Sequence, residues 1–163
     1  MREEKMRRVL VLQSVNDALT ARRMERTANS PRLSNYSIRP SYAIRLSKQQ
    51  QAMDVSKMMA TIHKAGIDTK RLLDDLNKDV EDFQPEFLVV HSGFVFTQFP
   101  TEILSVLRRL KIKHQSVRFG IQGGGRLEYI PDGPVKNEVY AEVSSADLFD
   151  NGLEMNRLLS ELF

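Results

Sequence analysis

The chain has 163 residues, of which 41% are hydrophobic, so its length suits one domain and it has enough apolar side chains for a core. It contains no cysteine, which excludes disulfides, thiol nucleophiles and thiolate metal sites. No apolar run approaches the roughly 20 residues that a membrane-spanning helix needs, and the charged start of the chain lacks the pattern of a signal peptide. We therefore expect a soluble, cytoplasmic domain over residues 1–163 that has no membrane partner.

Positive charge is concentrated in the first third of the chain. Residues 1–50 carry eleven Lys and Arg against four Asp and Glu, a net charge of +7, whereas the whole chain carries +3. A basic segment on a mildly acidic body favours an anionic partner, or docking of the segment onto the body. A solvated loop is an equally good interpretation of the same charges.

The first predicted element is a buried strand at residues 8–14 (RVLVLQS), because its apolar residues form a short run that ends in a polar corner. A short helix is expected to follow from Asp17 to Arg26. Either Asn16 or Asp17 would cap that helix, since both side chains accept hydrogen bonds from first-turn N–H groups.

A long loop is predicted at residues 27–40, which are rich in Asn, Ser and Pro. Together with its flanks it makes a basic loop at about 20–47. Long ordered loops are often lids, so this one is a solvated loop, a lid over an anionic ligand, or a nucleic-acid arm. Tyr36 and Tyr42 would supply stacking surfaces in the last case.

The middle of the chain predicts a strand and two helices. Residues 42–46 (YAIRL) are the strand, and Ser47 with Gln50 forms a capping-box pattern that opens a helix ending at Gly66. A second amphipathic helix covers residues 68–83. The apolar face of the first helix is expected to contain Val55, Met58, Met59, Ile62 and Ala65.

The second half predicts further strands around one helix. Residues 87–90 (FLVV) are apolar on both alternate faces, the pattern of a central strand in a parallel sheet, and Pro100 starts a helix. Residues 117–121 alternate as a half-buried strand, and residues 127–130 and 135–143 are strand candidates. We therefore predict a three-layer α/β fold with a mostly parallel, flavodoxin/Rossmann-like sheet and an antiparallel C-terminal edge.

A functional site is expected beyond the carboxyl ends of the strands, where loops and backbone N–H groups converge in open α/β sheets. Polar residues follow three of the predicted strands at that edge. The catalytic candidates are His91, Ser92 and Asp17; the ligand-binding candidates are Ser14, Asn16, Gly93, Gln122, Gly123, Gly124, Gly125 and Arg126.

His91 and Ser92 have two interpretations. They could act as base and nucleophile, but neighbouring strand residues point to opposite faces, and the G-x-S-x-G motif that exposes a nucleophilic serine is absent. His91 is otherwise a buried structural histidine. No histidine pair has metal-ligand spacing, so no metal site is predicted.

The glycine run at residues 123–125, with Arg126, also has two interpretations. Its backbone N–H groups could approach a phosphate, although the lysine and hydroxyl of a P-loop are missing. Alternatively it is a hairpin turn between residues 117–122 and 127–130, which we favour because strand-like sequence lies on both sides.

A strand ending in HSG followed by a strand ending in IQGGGR resembles the caspase-type hydrolases over a few residues. In that family a histidine follows one strand, and an IQAC-type motif supplies the catalytic cysteine on the next. Gly124 stands where the cysteine would be, and the chain has none, so the resemblance implies no thiol catalysis here.

The sequence thus favours binding of a small anionic ligand at the strand ends, in a regulatory or scaffolding role and without a cofactor. One alternative is a small hydrolase-type or lyase-type enzyme that uses His91 as acid or base. Another is a nucleic-acid or protein adaptor that acts through the basic loop at 20–48. The apolar residues near the C-terminus must dock on the body or on a second copy, which allows a homodimer through the C-terminal helix.

Overall fold

The computed structural model describes residues 6–91, 93–122, 130–144 and 147–162. Within these ranges, four strands form one all-parallel sheet in the order β2-β1-β3-β4: β1 (Arg7–Val15), β2 (Tyr36–Ile44), β3 (Phe87–Val90) and β4 (Arg118–Ile121). The helices are α1 (Ala18–Ala28), α2 (Lys48–Gln51), α3 (Val55–Ala65), α4 (Thr69–Phe83), α5 (Phe94–Gln98), α6 (Pro100–Lys113), α7 (Pro134–Ser144) and α8 (Glu154–Leu162). The predicted α/β fold with a parallel sheet and flanking helices is confirmed.

The strand order matches that of flavodoxin-like folds, in which the chain winds outward from a central first strand. On the outer side of β4, Phe149 forms an isolated parallel bridge with Phe119. The Asp150 N–H donates to the Phe119 carbonyl at 2.7 Å, so this segment covers the outer edge of β4.

Two apolar layers enclose the sheet because successive strand residues face opposite sides. Leu10 and Leu12 of β1 belong to a core shared with α3, α4, α6 and α7. Val9 and Val11 belong to a second core shared with α1 and α8. These two cores make the fold three-layered.

Several local predictions are confirmed. All four residues of β3 are buried, Pro100 is the first residue of α6, and the helix predicted over residues 68–83 is α4. Gly66 ends α3 with a φ of +74°, a conformation that favours glycine.

The basic loop predicted at residues 20–47 is wrong as a description of that segment. It contains most of α1, a 3₁₀ turn at Pro31–Leu33 and the nine-residue strand β2. Proline in this stretch favoured a loop, but Pro40 lies on the edge strand of the sheet. The backbone N–H of Arg7 donates to the Asn35 carbonyl, so the backbone groups of the odd-numbered residues of β2 bond to β1. The backbone of Pro40 therefore faces away from β1, where the missing N–H costs nothing.

The single helix predicted from Ser47 to Gly66 is two helices. Ser47 and Gln50 form the predicted capping box, but it opens the four-residue α2, and Asp54 caps α3 separately. Val55 and Met59 were expected to be buried and are 61% and 36% exposed. Only one edge of the apolar face of α3, at Met58 and Ile62, reaches the core.

The strand predicted at residues 135–143 is also wrong, since those residues lie in α7. Val139 and Val143 are buried and four residues apart, a spacing that fits a helix. The β-branched residues favoured a strand. Pro134 at the first position of α7 and the packing of this segment against α6 stabilise the helix instead. An antiparallel edge therefore has no support from this segment, and residues 127–129 lie outside the described ranges.

The apolar C-terminal region docks on the body of the same chain. Leu153, Met155, Leu158 and Leu159 are buried in the core that contains Val9 and Phe87. The expected homodimer through this helix stays a prediction.

Candidate functional site

The carboxyl ends of β1 and β3 lie side by side at the centre of the sheet. The connection from β1 leads to β2 on one side, and the connection from β3 leads to β4 on the other, so the two loops diverge. This is the topological switch point, where open α/β sheets form a crevice. Ser14 and His91 lie at these two strand ends, as the sequence predicted.

Ser14, His91 and Gly93 are in close contact. A Cβ on Gly93 would lie 2.7 Å from His91 Nδ1 and 3.1 Å from Ser14 Oγ. A side chain at position 93 would therefore collide with both residues, and only glycine allows the loop after β3 to approach them so closely.

The Ser14 side chain already has a structural contact. Its Oγ accepts the backbone N–H of Val95 at 3.0 Å. Val95 lies in the first turn of α5, whose N–H groups have no partner within the helix, and Gly93 provides no side-chain cap. Ser14 thus fixes the start of α5 while its hydroxyl hydrogen can still be donated.

His91 is largely removed from solvent, and burial lowers its pKa to about 4. The positive charge of Arg23 on α1 acts in the same direction. At neutral pH the imidazole is therefore uncharged, as a hydrogen-bonding group or a base requires. The sequence placed His91 at the end of β3 but did not single out Arg23, since only the docking of α1 lets its charge act on the histidine.

Asn16 and Asp17 have structural roles at the same edge. Asn16 Oδ1 accepts the Leu46 N–H at 2.5 Å and its Nδ2 donates to the Leu46 carbonyl at 3.3 Å, which joins the loops after β1 and β2. Asp17 caps α1 by accepting the Thr20 N–H at 2.8 Å. Burial and the negative charge of Asp17 raise the pKa of Tyr42, which the sequence suggested as a strand residue and as a stacking surface.

Gln122 follows β4 at the same edge of the sheet and is buried. Its Nε2 contacts the Leu159 carbonyl of α8 at 3.4 Å, so it faces the α8 layer. The described residues do not include Ser92, Gly123–Gly125 or Arg126. Both interpretations of the glycine run therefore stay predictions. The enzyme alternative, which pairs His91 with Ser92 or Asp17, stays a prediction.

The space between the strand ends is small. A cavity of about 10 Å³ lies against Leu12, Ser14, Val90 and His91, enough for one water molecule. A larger ligand would have to contact the outer rim of this crevice. In the described ranges, no three His, Asp or Glu side chains are grouped closely enough to hold a metal ion.

Comparison of the chain with protein-family models, curated proteins and solved structures found no match. No helix in the described part of the chain combines the length and apolarity needed to cross a lipid bilayer. We therefore infer function from the geometry and charges of the crevice.

Proposed function

We propose that the protein binds a small anionic ligand at the rim of the crevice between β1 and β3, in a regulatory or scaffolding role. The observation that carries the proposal is the convergence of Ser14, His91 and Gly93 at the switch point. Ligands of open α/β sheets bind at this position because loops and backbone N–H groups meet there.

The charges around His91 support an anion. The positive charge of Arg23 lowers the pKa of His91, so positive charge from α1 acts on the crevice. An uncharged imidazole can donate a hydrogen bond to an oxyanion, and the Ser14 hydroxyl can do the same. Gln122 and the residues that follow it, Gly123–Gly125 and Arg126, would complete the contacts on the β4 side.

Binding of an anion beside His91 has a measurable consequence. A negative charge within about 4–6 Å favours the protonated imidazole and raises its pKa by about one unit or more. Inorganic phosphate is a suitable probe because it carries a negative charge at every pH at which His91 titrates. NMR titration of the His91 ring, with phosphate or with chloride at equal ionic strength, measures this change directly.

The expected result is a His91 pKa that rises from about 4 in chloride to about 5 in phosphate. The rise should disappear in Arg23→Gln and persist in Arg109→Gln, a matched loss of one exposed arginine on α6. An equal pKa in phosphate and chloride, or the same rise in Arg23→Gln as in the parent protein, would exclude anion binding at this rim.

A further inference from the structure

Helix α1 carries an exposed basic stripe, which we define as Arg22, Arg23 and Arg26. All three side chains are exposed. In the part of the chain that the structure describes, none of them forms an ion pair. Their charge is therefore available to a partner.

Four other arginines of the basic segment contact carboxylate or aromatic side chains of the body. These contacts are Arg7 with Glu86, Arg32 with Glu161, Arg45 with Asp75, and Arg39 over the ring of Phe83 at 4.5 Å. Among the described residues of this segment, α1 thus carries three arginines that have neither a carboxylate partner nor an aromatic ring beneath them.

The geometry of α1 directs the stripe to solvent. Met24 and Thr27 are the buried residues of the helix and define its inner face. With about 3.6 residues per turn, Arg22 and Arg26 fall one above the other on the opposite face. Arg23 lies on the flank, consistent with its effect on the pKa of His91.

Glu25 is also exposed and, by the same helical spacing, lies about as far from the inner face as Arg26 does. Leu19 is the one large apolar side chain exposed on α1, all of which is described; its exposed fraction is 52%. The outer face of α1 thus carries two arginines against one glutamate, and Leu19 is its one large apolar side chain.

We propose that this stripe binds the phosphodiester backbone of nucleic acid without sequence preference. Phosphate contacts need cations and no apolar core, and the guanidinium fork matches phosphate geometry. A protein partner would need an apolar or aromatic centre to its interface, which this face lacks. Membrane binding would need a broad apolar helix face, and Leu19 is the one large apolar side chain that α1 exposes.

This activity goes beyond the crevice ligand, and its test leaves Arg23 unchanged because that residue belongs to both proposals. The test variant is Arg22→Gln with Arg26→Gln. The control is Lys78→Gln with Arg109→Gln, which removes two exposed charges from α4 and α6 on the opposite layer. Fluorescence anisotropy measures binding to a labelled single strand of about 20 nucleotides, and to the matching duplex, between about 50 and 200 mM NaCl.

For the parent protein we expect a linear fall of log affinity with log salt. Each phosphate contact to a single strand contributes a slope of about −0.7, so the test variant should flatten the slope by about 1.4. Its affinity at about 50 mM NaCl should fall about tenfold, and that of the control should stay within about twofold of the parent protein.

Three outcomes would overturn the proposal: no binding by the parent protein at about 50 mM NaCl, an equal loss in test and control variants, or binding of polyglutamate with the same affinity and salt slope. The last outcome would indicate a general acidic partner. The effect of phosphate on the pKa of His91 should be unchanged in the test variant, so each proposal can fail without the other.

Discussion

The hydroxyl oxygen of Ser14, at the end of β1, accepts the backbone N–H of Val95 in the first turn of α5 at 3.0 Å. This bond joins residues 81 positions apart and supplies the cap that α5 does not obtain from Gly93. It also holds Ser14 against the Gly93 loop and His91, so it positions the crevice on which the proposed ligand binding depends.

Replacing Ser14 with Ala should destabilise the protein by about 1–2 kcal/mol, because the buried Val95 N–H would lose its acceptor. Urea unfolding followed by circular dichroism measures the change. Ser37→Ala on β2 is the matched control, since its hydroxyl forms no hydrogen bond within the described ranges. Equal effects of the two substitutions would contradict the capping role.

His91 should make the fold sensitive to acid. Its folded-state pKa of about 4 lies below the ordinary value of 6.5. As the pH falls, His91 is therefore protonated in the unfolded chain before it is protonated in the folded chain, which favours unfolding. Stability should therefore decrease as the pH falls from about 7 towards 4, and the share due to His91 is about 2–3 kcal/mol at about pH 4.5.

The variant His91→Gln isolates this contribution because it cannot titrate and the other groups are unchanged. Whatever the variant costs at pH 7, its free energy of unfolding should fall less steeply with acid than that of the parent protein. Parallel stability curves for the two proteins would show that His91 is not buried as described.

Because β4 packs closely on α8, replacing Gly120 with a larger residue should destabilise the fold. A Cβ at this position would lie 2.0 Å from Asn156 Oδ1 and 3.1 Å from Leu153 Cδ1. The buried Asn156 side chain would have to move and break its Nδ2 contact with the Asp150 carbonyl at 3.0 Å. We expect Gly120→Ala to destabilise the fold by about 1–3 kcal/mol.

A double-mutant cycle tests this explanation. Asn156→Ala makes room for the new methyl group. The double variant should therefore lose about 1 kcal/mol less stability than the two single variants lose together. Simple additivity would mean that the cost of Gly120→Ala has another origin.

The Arg7–Glu86 pair should contribute modest, salt-sensitive stability. Arg7 Nε and Nη2 bond the Glu86 carboxylate at 2.9 and 2.6 Å, and the guanidinium lies 4.7 Å from the centre of the Phe87 ring. The hydrogen bond to Arg7 lowers the pKa of Glu86 below its ordinary 4.5, against a smaller opposing effect of burial. Since the folded-state pKa is depressed, the contribution is present above about pH 4.5 and lost as the pH falls through the folded-state pKa.

Both side chains are almost half exposed, so Glu86→Gln should cost no more than about 1 kcal/mol at pH 7. The cost should shrink in about 1 M NaCl and as the pH falls through the folded-state pKa of Glu86, as measured by chemical unfolding. Glu25→Gln, which removes an exposed carboxylate that is unpaired within the described chain, is the control and should have little effect. A cost for Glu86→Gln that did not change with salt or pH would indicate a packing effect instead of a charge effect.

The fold class was predictable because the apolar pattern records which residues face a core. The FLVV run at residues 87–90 is apolar at every position and forms a strand covered on both faces. The spacing of Leu72, Leu76, Val80 and Phe83 likewise predicts the buried face of α4. The capping box at Ser47 and the helix start at Pro100 were readable because they depend on residues a few positions apart.

Segments whose pattern fits two structures could not be decided in this way. The valines of residues 135–143 satisfy the spacing of a strand and of a helix, and packing of α7 on α6 selects the helix. Pro40 argued against a strand until the structure placed β2 at the edge of the sheet, where its position faces away from β1.

The sequence by itself thus determined the parallel α/β architecture and the placing of Ser14 and His91 at strand ends. Tertiary structure alone decided that these two residues meet at Gly93, that the charge of Arg23 acts on His91, and that Asn16 joins the loops after β1 and β2. The physical reason is that periodicity and caps are local properties of the chain. Contacts between residues far apart in sequence depend on strand order and on how the helices pack.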